Sequence, residues 1–276
     1  MTILIKNNQD VNAHSSIAAA SIISAAGGAI FLILPILLGS ASEYLNLNEE
    51  QAGLVASSYF SGFLLVCLSA VFWMRRFNWQ RVSVLGVLLL CSGLLTSAFA
   101  ADYSSLLGFM ALAGVGAGVL YGLAVCVLSD TKNPDRSFGI KLLVEQLVGV
   151  VLLLILPMYV TEQWGFKGLM LTVAGVMALL GLATLRLPIA GRAAELNTKS
   201  DQVLKVVTWP VWLALSALML YFMGLSGLWA FVERIASGQG LDAVTIGKAL
   251  SFSLVGGGLG ALAAALLGDR FGRLFP

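Results

Sequence analysis

Glu145 is the one carboxylate lying inside a long apolar run, and Lys141 stands four residues before it. That spacing puts both on one face of a helix, where opposite charges can neutralise each other. A lone charge at the centre of a lipid-embedded helix costs about 2.5–3.5 kcal/mol on insertion scales. Two readings follow from that cost. Either the pair sits near a helix end and reaches toward the interface, or it is an internal device whose partners change.

Other chemistry finds few residues. His14 is the only histidine and precedes the first apolar run, so it is expected to be solvated rather than a proton relay. Cys67, Cys91 and Cys126 each fall inside an apolar run, where a thiol behaves as a small hydrophobe. No cluster of histidine, cysteine and carboxylate lies within the apolar runs, so no catalytic residue, metal or cofactor is assigned. An intramembrane enzyme is disfavoured on that ground. The net charge of +2, with basic residues in short clusters between apolar runs, implies no nucleic-acid partner.

The elements that carry the pair are dictated by solvent. Hydrophobic residues make up 59% of the chain and charged residues 11%, and the mean hydropathy is +0.93. No polar shell can be assembled from so few polar residues, so the partner along most of the chain is a lipid bilayer. The apolar runs are continuous rather than alternating, which selects helices over a barrel. Runs long enough to cross lie at 17–38, 52–73, 82–100, 104–128, 141–159, 168–185, 207–232 and 248–267. The first is longer than a signal-peptide core and has no small-residue cleavage pattern, so it reads as a retained span.

Basic residues set the orientation. With the N-terminus inside, Lys6, Arg75, Arg76, Arg81, Lys132, Arg136, Lys141, Arg186, Arg192, Lys199, Lys205, Arg270 and Arg273 are cytoplasmic. Only Lys167, Arg234 and Lys248 then fall outside, a one-sided distribution. Glu43, Glu49, Glu50, Asp102, Glu162, Glu233 and Asp242 also fall outside. The expected location is a bacterial cytoplasmic membrane, with the N-terminus and residue 276 both inside.

The connection 188–206 is polar and charged and reads as a linker between a six-helix bundle, 1–187, and the first two helices of a second, 207–276. Sliding the chain by 194 residues aligns Leu47 with Leu241, Asn48 with Asp242, Gly53 with Gly247 and Ser57 with Ser251. The same register pairs Gly62 with Gly256, Arg76 with Arg270 and Phe77 with Phe271, as an internal repeat would.

A six-helix half, a linker and a restarted pattern resembles the major facilitator superfamily. Its sharpest motif is Gly268-Asp269-Arg270-Phe271-Gly272-Arg273 after the eighth span, similar to the family's Asp-Arg-x-Gly-Arg loop. The corresponding first-half loop has Arg75 where the aspartate would stand and Asn78 for the glycine. Gly114-Val115-Gly116-Ala117-Gly118 is similar to the glycine-rich fourth helix, and its residue sizes suit close helix packing. The fifth span lacks the Gly-Pro-x-x-Gly-Gly element of drug and proton antiporters.

The resemblance implies an all-α membrane protein, a major-facilitator-like helical bundle of about eight transmembrane helices. A full member carries four more, so the chain reads as truncated, a fragment or an abbreviated relative. The implied activity is secondary active transport of a small organic solute by alternating access, with a proton or sodium ion as candidate coupling ion. The competing reading is a non-transporting scaffold or assembly protein that keeps the bundle. By resemblance, Glu145, Lys141, Asp269, Arg270 and Arg273 form a cytoplasmic gate. Ser21, Ser24, Tyr121, Tyr221, Ser226 and Trp229 are the candidates to line the cavity. None of the six is ionised at neutral pH, which suits a neutral or weakly polar solute.

Overall fold

A computed structural model of the chain describes residues 10–190 and 209–267. The described residues are helical throughout apart from turns, and they cross the bundle eight times. The first crossing is two helices, α1 (His14–Leu32) and α2 (Leu34–Tyr44). Its continuity fails at Ile33 because Pro35, in the first turn of α2, has no N–H for the ladder. The single run expected at 17–38 is therefore longer and broken.

Helices α3 (Glu49–Trp73), α4 (Trp79–Ser97) and α5 (Tyr103–Ser129) follow, each started by a polar residue that accepts a backbone N–H. Asn48 and Asp102 form reciprocal capping boxes with Gln51 and Ser105, and Asn78 accepts from the Arg81 N–H.

Helix α6 (Pro134–Ile155) passes through a π-helical turn, Leu156–Thr161, directly into α7 (Glu162–Gly181). The loop expected between the fifth and sixth spans is instead a reversal inside a helical stretch. It turns at Gly165, whose φ of 56° is open to glycine at little cost. Helices α8 (Trp209–Gly238) and α9 (Ala243–Leu267) complete the described set.

The bundle has two chemically distinct ends. Arg75, Arg76, Arg81, Lys132, Arg136 and Arg186 lie at the turns of one, here the basic end. Glu43, Glu49, Glu50, Asp102, Glu162, Glu233 and Asp242 lie at the other, the acidic end.

Helix α5 is the hub, packed against α1, α3 and α4. Its glycines permit this. A Cβ on Gly118 would come within 2.8 Å of the Phe63 carbonyl of α3, and one on Gly116 would strike the backbone of Leu90 on α4. The glycine run read from sequence as close packing is used that way. The most heavily buried aliphatics, Ile30, Ile33, Leu37, Leu90, Leu120 and Met170, form the main core between these helices.

Helix α9 packs along α6, with Gly247 facing the Leu153 carbonyl and Gly149 facing Leu254. The aligned repeat has the same local chemistry twice. Asn48 and Asp242 both cap a helix start, and Ser57 and Ser251 both donate back to the carbonyl four residues earlier, Gly53 at 2.9 Å and Gly247 at 2.8 Å. Helix α8 meets the rest through its last third, while residues 209–225 are exposed.

Candidate functional site

Helix α6 brings Lys141 and Glu145 about 11 and 16 Å along its axis from Pro134, at 1.5 Å per residue. Both side chains are aimed at α1 and α5. Lys141 is 2% exposed and Glu145 7%. Of the two readings of the pair, an interfacial one and an internal one, this burial between helices favours the internal one.

Burial of this kind needs hydrogen bonds to every charged atom that can take one. Lys141 Nζ lies 2.8 Å from Glu145 Oε1 and donates to the Tyr121 hydroxyl at 3.0 Å. Ser24 Oγ donates to the same Glu145 oxygen at 2.6 Å. The ammonium also lies 4.3 Å from the centroid of the Tyr121 ring, whose π face attracts a cation. The Phe63 ring packs against the Tyr121 ring, with centroids 5.6 Å apart.

Three helices thus contribute to one cluster: Ser24 from α1, Tyr121 from α5, Lys141 and Glu145 from α6. Gly28 leaves ordinary room beside it, since a Cβ there would stand 3.6 Å from the Tyr121 ring and 3.8 Å from Glu145 Oε1. A neutral assembly of one cation, one anion and two hydroxyls can exchange partners. An anionic group arriving nearby competes for Lys141, and a cationic group competes for Glu145.

The remaining sequence candidates are placed elsewhere. Ser21 is buried and donates to Ile17 of its own helix at 2.9 Å. Trp229 donates its indole N–H to the Phe31 carbonyl at 2.9 Å, fastening α8 to α1. Tyr221 is 63% exposed and Ser226 is half-buried on the same helix, and no bond joins either to the cluster among the described residues. Asp269, Arg270 and Arg273 lie outside the described residues, as does most of the 188–206 linker.

Two features escaped the sequence reading. Arg75, read from sequence as a cytoplasmic basic residue and a departure from a motif, makes a two-pronged bond to Asp130 at 2.9 and 3.1 Å, tying the α3–α4 turn to the end of α5. Glu233, counted only as an outer acid, is buried against Gly39 of α2. The available signal was its place one turn after Trp229, at the end of a long apolar run.

Compared with known proteins, the chain matches the family model described as Major Facilitator Superfamily over residues 17–276. No curated protein matches it.

Proposed function

The chain belongs to the major facilitator superfamily, whose members are transporters of small solutes, and on that premise we propose that it is a secondary active transporter working by alternating access. The observation that carries this reading is the buried cluster. A bundle that only needed to be stable could fill the same space with apolar side chains at no loss, because a buried ion pair rarely out-stabilises them. Ionisable groups kept inside a membrane bundle mark a path for solutes or ions.

The cluster is the solute-facing surface of the first bundle, with a small organic solute held by the Lys141 ammonium, the Ser24 hydroxyl and the Tyr121 ring. This widens the solute class expected from the uncharged candidates, because a charged group can displace one member of the pair. Proton or sodium drives the cycle through Glu145, whose carboxylate can exchange Lys141 for the coupling ion. The one-sided distribution of lysine and arginine supports a basic end that faces the cytoplasm across a bacterial inner membrane.

Alternating access also accounts for the posture of α8. Trp229 and Arg234 dock it on α1 and α3 at the acidic end, the latter at 3.0 Å from Glu49. Its other half stands away from the first bundle, as a rocking element would. The gate role of Asp269, Arg270 and Arg273 belongs to this proposal. Helix α9 packs along α6, and in the proposed gate Arg270 or Arg273 pairs with Glu145 when the inside is closed and releases it when the inside opens. Nothing in the fold favours the scaffold reading over this one.

The test is uptake of a panel of labelled small organic solutes into proteoliposomes containing the intact chain. Accumulation of at least one solute, largely lost in Glu145→Gln and Lys141→Gln at equal protein incorporation, is expected. Unchanged flux in both variants would overturn the assignment of the cluster.

A further inference from the structure

At the acidic end, a second polar pocket lies between α2, the π turn and α8. Its mouth is about 440 Å³, and it carries Glu43, Glu162 and Glu233 on its walls. Beside it lies a narrower space of about 20 Å³ bordered by Gly39, Ser40, Glu43, Thr161 and Glu233. That narrower space suits one water-sized particle, which needs about 10–15 Å³.

Two groups there lack partners. Glu233 is 9% exposed, and its Oε2 makes no hydrogen bond among the described residues. Ser40 is 5% exposed, and its Oγ is likewise unpartnered. Buried oxygens of this kind are rare in folded proteins, and each calls for a ligand. The nearby Arg234 does not supply one, because its guanidinium is bonded to Glu49. Space for the Glu233 carboxylate exists only because residue 39 has no side chain, since a Cβ there would collide with it.

We propose that this narrower chamber binds a compact monovalent cation, either a sodium ion or the ammonium head of an amine, on the Glu233 carboxylate and the Ser40 hydroxyl. Glu233 is the buried carboxylate there and balances a single charge, whereas Glu43, which also borders the chamber, is exposed. No group of three His, Cys, Asp or Glu is gathered closely enough for a metal ion among the described residues, which argues against a divalent occupant. Glu43, which borders both spaces, and Glu162 at the wider one raise the local cation concentration. Thr161 offers a further oxygen beside the chamber.

The site spans the seam between the two halves of the chain, since Ser40 is on α2 and Glu233 on α8. A cation there cancels charge across the seam and favours its closed form. Separation of α8 from α2 would release the cation on the acidic side. The coupling of this binding to solute movement rests on the transport reading, whereas the binding itself does not.

The experiment uses the intact chain in lipid nanodiscs at fixed pH and ionic strength, titrated with sodium, methylammonium or choline chloride while thermal unfolding is followed. A saturable rise in Tm with sodium or with methylammonium, but not with bulky choline, is expected, and the arm that responds identifies the source of the cation. Glu233→Gln should abolish the rise. Ser40→Ala should weaken half-saturation about tenfold, as loss of one hydrogen-bond-strength ligand would. An equal rise with choline, or a rise that persists unchanged in Glu233→Gln, would overturn the site. Were Glu233→Gln not to fold, unaltered half-saturation in Ser40→Ala would overturn it alone. Parallel flux measurements separate the two proposals: cation binding without any solute flux defeats the transporter, and solute flux without cation binding defeats only the site.

Discussion

Ser24 and Glu145, 121 positions apart in the chain, meet through a 2.6 Å hydrogen bond inside the bundle. That contact joins the first helix to the sixth, and it makes Glu145 Oε1 a shared acceptor for a hydroxyl and an ammonium. Every movement of α6 against α1 must break or remake it.

Removing one member of the buried pair leaves the other charge unpaired, which costs about 3–5 kcal/mol in buried settings. Glu145→Gln and Lys141→Met should therefore each lower stability in a denaturant titration of the detergent-solubilised chain. The double variant should recover most of the loss while solute flux stays absent. Additive losses in the double variant would show that the two charges do not compensate each other.

The repeated caps predict a pH difference between two helices. Asn48 does not titrate, and Asn48→Ala should cost about 1 kcal/mol at α3 at any pH. Asp242 is exposed, and the Thr245 side-chain hydroxyl followed by the Thr245 N–H holds its pKa below the usual carboxylate range. Its folded pKa is thus depressed relative to the unfolded chain. Its capping contribution is present above the ordinary carboxylate range and is lost as pH falls through the lowered value. Hydrogen exchange should show the first turn of α9 losing protection on acidification while that of α3 does not. Equal loss at both would contradict the cap.

Arg75 and Asp130 form a charge-assisted fork with side chains 37% and 9% exposed. Exposure limits its worth to about 1 kcal/mol. Arg75→Asp and Asp130→Arg should each lower stability by roughly that amount, and the charge-swapped double variant should restore it. High salt should shrink the effect.

Glycine contacts give a steric contrast. Gly116→Ala should destabilise by about 1–3 kcal/mol because the methyl group strikes the backbone of Leu90. Gly108 in the same helix has nothing within 4 Å. Gly108→Ala should be neutral or stabilising by up to about 1 kcal/mol. Melting of the two variants in one detergent distinguishes the outcomes.

Much of this was legible in the residues. Continuous apolar runs gave the spans, because a backbone in lipid has no other way to satisfy its polar groups. The 194-residue repeat was visible as aligned glycines and serines, and the paired caps and Ser57 and Ser251 back-bonds follow that register. Glu145 and Lys141 stood out through their cost in lipid. Ser24 and Tyr121 are legible only as cavity candidates and not as partners of the pair, because their meeting with it depends on how α1 and α5 rotate about their axes. The break at Ile33 and the reversal at Gly165 were missed for a related reason. Hydropathy reports where the chain is buried and says little about where a helical ladder bends.

The most direct test of alternating access is the reach of a water-soluble thiol reagent to Gly28→Cys, introduced into a chain in which Cys67, Cys91 and Cys126 are replaced by Ala. The position abuts Tyr121 and Glu145, and a Cβ there would make only ordinary contacts. Labelling from both faces, in right-side-out and in inverted vesicles, is the predicted result. Labelling from neither face, or from one face alone under all conditions, would contradict the account.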